Sequence, residues 1–120
     1  MASKKEQEKE DRIKKEIDRI NGLISEIDDK KKEAASSLVS NAAFMTVTLQ
    51  DLQQEINKKG VTETYQNGAN QKGVKKSSAV EVYNTMIKNH VQVIKQLTEL
   101  LPKSEIKHLE DPLEEFVMNK

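Results

Sequence analysis

Three observations predict an all-α protein that associates with copies of itself. Apolar residues recur three and four positions apart along three long stretches, which is the spacing of one face of a helix. A polar segment between the second and third stretches is the main interruption. Only 35% of the 120 residues are hydrophobic and four are aromatic, so one chain alone builds a thin core. We therefore expect three main amphipathic helices, a short C-terminal helix and an oligomer.

The charge and composition of the chain exclude several classes of protein. The 20 basic and 20 acidic side chains cancel, so any binding to nucleic acid or to an anionic membrane needs a local basic patch. The absence of cysteine excludes disulfides, thiolate zinc sites and cysteine nucleophiles. No apolar run reaches the roughly 18 residues of a membrane span, and the charged amino terminus lacks a signal-peptide core. We expect a soluble intracellular protein with no membrane partner.

The first predicted helix makes up a charged N-terminal domain, residues 1–29. Its apolar residues form a narrow coiled-coil seam that should meet another helix; they are Ile13, Ile17, Ile20, Ile24 and Ile27. Its balanced charges favour a solvated surface over one that binds DNA. Asp28 or Asp29 can cap a new helix, and Lys31 stands where the seam requires an apolar residue, which indicates a bend or a second start. One continuous rod and a helical hairpin both stay open.

The second predicted helix begins the core domain, residues 30–102. Its stripe keeps the same spacing, with apolar positions Leu38, Ala42, Met45, Leu49, Leu52 and Ile56. No basic residue occurs between positions 33 and 57, so we expect this helix to be the buried central element. It should end near Gly60. The β-branched run Thr46–Thr48 weakens helix propensity and allows a local kink.

A polar loop and a third helix complete the core domain. Residues 60–77 are predicted to be the loop, because turn-forming glycine, asparagine and glutamine residues cluster there. The helix should start at Ser78, whose hydroxyl can cap the amide of Glu81, and end before Pro102. One apolar line contains Val80, Tyr83, Ile87, Ile94, Leu97 and Leu101, and a second contains Ala79, Val82, Met86, Val93 and Leu100. Because one helix partner cannot cover both, we assign the second line from Val82 onward to oligomerisation.

The C-terminal tail, residues 103–120, carries the signals of one more short helix. Asp111 can act as its cap, Pro112 fits its first position and Glu115 lies in its first turn. Its apolar side consists of Leu113, Phe116 and Val117. We favour docking of this side on the core of its own chain. Docking on another protein is the alternative, and these three residues are the candidate partner-binding site.

The sequence contains no motif for catalysis, a metal or a cofactor. His90 and His108 lack the spacing of metal ligands, and His90 lies on the main apolar line, as a histidine at a helix interface would. Gly68 and Gly73 have the separation of a phosphate-binding loop, but Val74-Lys75 follows where Lys-Ser or Lys-Thr is needed. The serine pairs lack a nucleophile elbow. We therefore expect a protein that is not an enzyme and has no small-molecule substrate.

One charge feature points to nucleic acid. Between Asn57 and Lys76 the sequence contains one acidic residue, Glu63, and five lysines, which are Lys58, Lys59, Lys72, Lys75 and Lys76. Repeated around an oligomer, these lysines would contact several phosphates and make DNA affinity steeply salt-dependent. A solvated loop that only maintains solubility explains them equally well. Tyr65 can stack on a base or pack on the helices, and we favour packing.

The run from Asn41 to Pro102 has a distinctive order of residues. It contains Ala43-Phe44-Met45, Leu49, Leu52 and Gly60, then Tyr65-Gln66-Asn67-Gly68, Asn70-Gln71 and Gly73, then Lys76-Ser77, Tyr83-Asn84, Lys88, Leu97 and Leu100-Leu101-Pro102. In this it resembles the small terminase subunit of tailed double-stranded DNA phages, in the class common among phages with long non-contractile tails. Ser78 replaces the proline that commonly follows Lys-Ser in that family, and His90 replaces a frequent aromatic residue. The resemblance covers about half of the chain.

The resemblance implies a non-catalytic role in viral genome packaging. Small terminase subunits assemble as helical rings, recognise concatemeric viral DNA, and recruit or regulate a large subunit that holds the ATPase and the nuclease. For this chain it implies a homo-oligomeric ring, phosphate contacts from the five lysines, and the cytoplasm of the infected bacterial host as location. Viral double-stranded DNA and the large terminase subunit would be the partners. A coiled-coil adaptor without DNA binding is the competing interpretation.

Overall fold

The protein folds into three long helices and one β-hairpin. The structure is a computed structural model, and it describes residues 3–25, 27–69 and 71–101. In chain order the elements are α1 (Lys4–Leu23), α2 (Asp29–Lys59), β1 (Thr62–Gln66), β2 (Lys72–Lys76) and α3 (Ser78–Glu99). The three predicted main helices are confirmed. The predicted C-terminal helix, with Leu113, Phe116 and Val117, lies outside the described residues.

The first two helices form a helical hairpin, not one rod. Of the two candidate caps the chain uses Asp28, whose carboxylate accepts the Lys31 amide at 2.9 Å. Lys31 therefore lies in the first turn of α2, so its charge does not interrupt a seam. The chain reverses before this cap, and the Arg12 guanidinium of α1 reaches the Asp51 carboxylate late in α2 at 2.6 Å. The two helices are consequently antiparallel.

Helix α2 is the central element, as predicted. It continues without interruption through Thr46–Thr48, because tertiary packing on both sides outweighs the weak helix propensity of β-branched residues. Helix α3 lies along its other side and runs antiparallel to it. His90 contacts Thr46 (Nε2 to Oγ1, 3.0 Å), and the Gln53 amide donates to the Tyr83 hydroxyl at 3.1 Å. No helix within the described residues is both long and apolar enough to span a membrane.

The apolar core is concentrated at one end of this three-helix layer. Its buried members are Ile20, Ile24, Ile27, Ala35, Val39, Ala42, Ala43, Leu97 and Leu101. They come from the end of α1, the start of α2 and the end of α3, and we call this region the apolar end. The isoleucine seam meets another helix, as predicted, and that helix belongs to the same chain. At the opposite end, which we call the hairpin end, α1 begins, α2 ends and the two strands follow.

The predicted polar loop, residues 60–77, is instead largely a β-hairpin, so the loop prediction was wrong, while the predominantly helical fold is confirmed. The strands pair antiparallel from Thr62 opposite Lys76 to Gln66 opposite Lys72. At the tip, the Asn67 amide donates to the Gln71 carbonyl at 2.7 Å, and Gly68 adopts φ +77°, which favours glycine. Threonine, tyrosine and valine suit extended backbone, and pairing satisfies the polar backbone groups that turns were expected to satisfy.

The boundaries on either side of the hairpin are set by Gly60 and Ser77. Helix α2 ends at Gly60, as predicted, with φ +88° at that residue. The predicted cap of α3 was one residue late, because Ser77 accepts the Val80 amide at 3.1 Å. Ser78 is instead the first residue of the helix, which leaves its hydroxyl free to contact the hairpin. The chain therefore passes from helix to hairpin and back with very short connections.

Candidate nucleic-acid interface

The hairpin is fixed to the helices at its base. The Ser77 amide donates to the Val61 carbonyl at 2.9 Å, which continues the pairing of the strands down to the start of α3. The Ser78 hydroxyl donates to the Glu63 carboxylate at 3.1 Å. This hydrogen bond, and then that of Lys75, hold the pKa of Glu63 below its usual value, against an opposing effect of desolvation. The orientation of the hairpin is thus tied to α3.

Strand pairing sorts the hairpin side chains onto two faces. Residues directly opposite each other in an antiparallel pair share a face, and successive residues alternate. One face, which we call the lysine face, carries Thr62, Thr64, Gln66, Lys72, Val74 and Lys76. The other, which we call the tyrosine face, carries Glu63, Tyr65, Gly73 and Lys75. Only the tyrosine face contains a carboxylate.

The tyrosine face is occupied by contacts within the hairpin. The Tyr65 ring covers Gly73, so closely that a Cβ at position 73 would lie 2.7 Å from ring atoms and the hydroxyl. The Lys75 ammonium lies 3.3 Å from the Glu63 carboxylate. Tyr65 was predicted to pack on the helices. Its ring instead packs on Gly73 of the opposite strand, because a residue without a side chain leaves room for it. With 42% of its surface exposed, Tyr65 remains accessible on its outer side.

The five predicted phosphate-binding lysines fall into two groups. Lys75 is paired with Glu63, and Lys59 is paired with Glu55 one turn earlier in α2 at 3.2 Å. Lys58, Lys72 and Lys76 form no ion pair with any residue that the structure describes. Two of these three share the lysine face, and Lys58 lies where α2 leads into the hairpin. The number of lysines without an ion pair in the described structure is therefore three, fewer than the five counted in the sequence.

A groove that the sequence did not reveal adds further basic residues at the hairpin end. It runs between the first half of α1 and the last half of α2, and its basic lining residues are Lys5, Lys9, Arg12, Lys58 and Lys59. Carboxylates of both helices, including Asp51 and Glu55, line it too, so its charge is mixed. The Lys9 ammonium lies 4.9 Å from the centre of the Phe44 ring. Antiparallel packing of α1 and α2 brings these distant segments together. The groove could not be predicted from the spacing of residues within either segment.

The four predicted oligomerisation residues on α3 divide into two that line a groove and two that pack on the core. Val82 is 48% exposed and lies with Met86 in a shallow groove that also includes Met45 of α2. Val93 and Leu100 pack against the core of their own chain. Phe44, next to Met45 on α2, is 47% exposed. The groove of Met45, Val82 and Met86, together with the exposed Phe44 ring beside Lys9 of α1, makes up the exposed apolar surface of α2 and α3.

His90 of α3 lies at the interface with α2. Its ring bonds to Thr46, and burial lowers the pKa of His90, with Glu16 of α1 opposing that effect. Within the described ranges, no group of three or more His, Cys, Asp or Glu residues is arranged to hold a metal ion. His108 lies outside the described residues. The prediction of a histidine at a helix interface is confirmed for His90.

The geometry defines a class of protein: a three-helix layer that presents a basic β-hairpin at one end. Comparison with known proteins adds no identification, since no family model, no curated protein and no solved structure matches the chain.

Proposed function

We propose that this protein is the small subunit of a phage terminase. In this role it binds viral double-stranded DNA as a homo-oligomeric ring, has no catalytic activity, and recruits or regulates the large subunit that holds the ATPase and nuclease. It would act in the cytoplasm of the infected bacterial host. The observation that carries the proposal is the lysine face, on which Lys72 and Lys76 are exposed without a neighbouring carboxylate. The segment that resembles small terminase subunits contains the whole hairpin.

The lysine face can bind DNA although the protein is electrically neutral overall. Binding of a lysine to a phosphate releases condensed counterions from the duplex, and this release supplies most of the non-specific affinity. One subunit offers two such lysines on the hairpin and Lys58 beside it, which is too few for tight binding. A ring that repeats the hairpin in every subunit would supply the number of contacts required.

The exposed apolar surface supports self-association. Val82, Met86, Met45 and Phe44 each leave part of their area uncovered. Lys9 stacks on Phe44, and Glu81 lies in the groove with Val82. Lys9 and Phe44 of one subunit could dock on the Glu81 groove of the next, and such a head-to-tail contact between two different patches can close into a ring. The ring interface would include Val82 and Met86 but depend less on Val93 and Leu100.

A gel shift of random-sequence duplex DNA at graded salt concentrations tests the proposal. We expect the wild-type protein to bind, with an affinity that falls steeply as salt rises. Replacing Lys72 and Lys76 together by alanine should weaken binding and reduce the salt slope by about 0.9 for each phosphate that is no longer neutralised. The oligomeric state, measured by light scattering, should not change, because neither side chain lines the groove that contains Val82.

The matched control is the double variant Lys59→Ala, Lys75→Ala. It removes the same number of charges, but from lysines that already contact Glu55 and Glu63. We expect a smaller change in salt slope than for the lysine-face variant. Equal slopes for the two variants would reject the lysine face as the phosphate site, and absence of any gel shift at low salt would reject the DNA-binding role.

A protein-interaction adaptor without DNA binding is the second candidate. It is favoured by the exposed apolar surface on α2 and α3, which suits a helix of another protein as well as a second copy. Under this alternative, the lysines only maintain solubility. Val82→Ser should then abolish capture of the partner while the gel-shift assay shows no DNA complex with any variant.

A further inference from the structure

We propose that the hairpin inserts into the major groove of duplex DNA with its lysine face toward the base edges, and that it reads sequence there. This inference rests on the proposed DNA-binding function and adds a site, a groove and a mode of recognition to it. Gln66, Thr64 and Val74 would contact bases. Lys72 and Lys76, at the two ends of the same face, would contact the phosphates.

The dimensions of the hairpin select the major groove. Two paired strands lie about 4.8 Å apart, and their side chains project from the two faces of the ribbon and do not widen its edges. The major groove is about 12 Å wide and admits a two-stranded ribbon, whereas the minor groove is only about 6 Å wide. Lys72 and Lys76 are four residues apart on β2, hence about 14 Å apart along the strand. Their long side chains can therefore reach phosphates while the middle of the face approaches the bases.

The side chains in the middle of the lysine face have the chemistry of base recognition. The Gln66 amide carries both donors and an acceptor, so it can form paired hydrogen bonds with adenine N6 and N7. The Thr64 hydroxyl can donate or accept. Val74, directly opposite Thr64, is 67% exposed and can contact a thymine methyl group. Most of this valine is exposed between two lysines, and contact with DNA would bury it.

The tyrosine face is less suited to contact DNA than the lysine face. Glu63, the single carboxylate of the hairpin, lies on the tyrosine face and is held by Ser78 and Lys75. A phosphate backbone would repel it if that face were turned inward. The Tyr65 ring on Gly73 also makes that face bulky at its centre. Charge and shape thus both direct the lysine face toward the groove.

The base of the hairpin orients the ribbon and places more charge beside it. The hydrogen bonds of Ser77 to Val61 and of Ser78 to Glu63 connect the strands to α3. At the other strand, α2 ends only two residues before β1, so Lys58 lies near the point where an inserted hairpin would leave the groove. This lysine would then be close to a flanking phosphate, a contact that fixes position and orientation without carrying sequence information.

Methylation protection by dimethyl sulfate tests which groove is occupied. This reagent methylates guanine N7 in the major groove and adenine N3 in the minor groove. The full-length protein would first be used to enrich a duplex from a random pool, and that duplex would then be treated with and without protein. We expect protection of guanine N7 and unchanged reactivity of adenine N3. A gel shift without N7 protection, or with N3 protection alone, overturns the groove assignment while leaving DNA binding intact; no gel shift removes the proposed function itself.

A pair of variants tests base reading separately from phosphate binding. Gln66→Ala should reduce the preference for the enriched duplex over random-sequence duplex by roughly tenfold, the loss expected for one paired hydrogen bond to a base. Lys72→Ala should weaken binding to both duplexes by a similar factor. Lys75→Ala, on the tyrosine face, is the control and should leave the preference unchanged. An unchanged preference for Gln66→Ala, with N7 protection absent, would overturn base reading by this face.

Discussion

The two ends of the helical layer differ in how their side chains are used. At the apolar end, residues such as Ile20, Ala35 and Leu97 are almost completely buried. At the hairpin end, Val61 and Val74 are more than half exposed, and charged residues line the groove between α1 and α2. The difference indicates that folding free energy is concentrated at one end and that the proposed binding surface lies at the other. Substitutions at the two ends should therefore affect different measurements.

The largest expected effect is the loss of stability on replacing Leu97 by alanine. Leu97 is fully buried in the core cluster, so its truncation should lower the free energy of unfolding by about 2–5 kcal/mol. Urea unfolding followed by circular dichroism measures this change. The matched control is Val91→Ala on the same helix, where a side chain 56% exposed should cost at most about 0.5 kcal/mol. Equal losses at the two positions would contradict the assignment of Leu97 to the buried core.

Two glycine-to-alanine substitutions should act with opposite sign at the two ends. Gly22, in α1, has open space around a new Cβ, so alanine should stabilise the protein by about 0.5–1 kcal/mol. Gly73 lies under the Tyr65 ring, so alanine should displace that ring and loosen the hairpin. Hydrogen exchange should then accelerate at the amides of β1, while those of α2 near Val39 stay protected. Unchanged exchange in β1 would mean that the ring contact does not stabilise the hairpin.

A pH-dependent effect is expected from His90, between the two ends. Because burial lowers the folded-state pKa of His90, the unfolded chain binds its proton more readily. Stability from this group is complete above the usual histidine pKa of about 6.5 and is lost as the pH falls through the lower folded-state value. The melting temperature should therefore decrease as the pH is lowered through this range. The decrease should be smaller for His90→Gln than for the wild-type protein. Identical pH profiles would exclude His90 as the source.

The smallest expected effect comes from the ion pair that joins α1 to α2 at the hairpin end. Arg12 contacts Asp51 and Gln50, and both members of the ion pair are 40% exposed. Replacing Arg12 by alanine should therefore lower the free energy of unfolding by only about 0.2–1 kcal/mol. Hydrogen exchange in the first half of α1 should respond more than global unfolding does. A loss as large as that of Leu97→Ala would show that the hairpin end contributes to stability as much as the apolar end.

The helices could be predicted from the sequence, whereas the hairpin could not. The spacing of Ile13, Ile17 and Ile20 indicates a helix because one side of that helix is buried. The strands have no fully buried side, so Thr62–Gln66 and Lys72–Lys76 show no alternation of apolar and polar residues. The glycine and asparagine residues at the tip predict a turn there, but composition does not show where that turn gives way to paired strands. The cap at Ser77 was missed by one residue for a related reason, since two adjacent serines offer the same chemistry.

The candidate site could be predicted only in part. Counting charges identified the five lysines, and this count did not require a structure. Which lysines are already paired depends on Glu63 facing Lys75 across the strands and on Glu55 preceding Lys59 by one turn. The division of Val82 and Met86 from Val93 and Leu100 likewise depends on how far the core extends along α3. The Glu55–Lys59 pair is local, whereas the Glu63–Lys75 pair depends on strand register and the division on α3 depends on packing between elements that are distant in the chain.

The sequence by itself determined the three helices, the polar interruption between the second and third, and the cluster of lysines around it. These features follow from local periodicity and composition, which do not depend on distant contacts. Only the tertiary structure decided that α1 folds back along α2, that the core lies at one end, and that the lysines separate onto two faces of a hairpin. Pairing of the strands fixes which side chains share a face, and a shift of one residue would reverse that assignment.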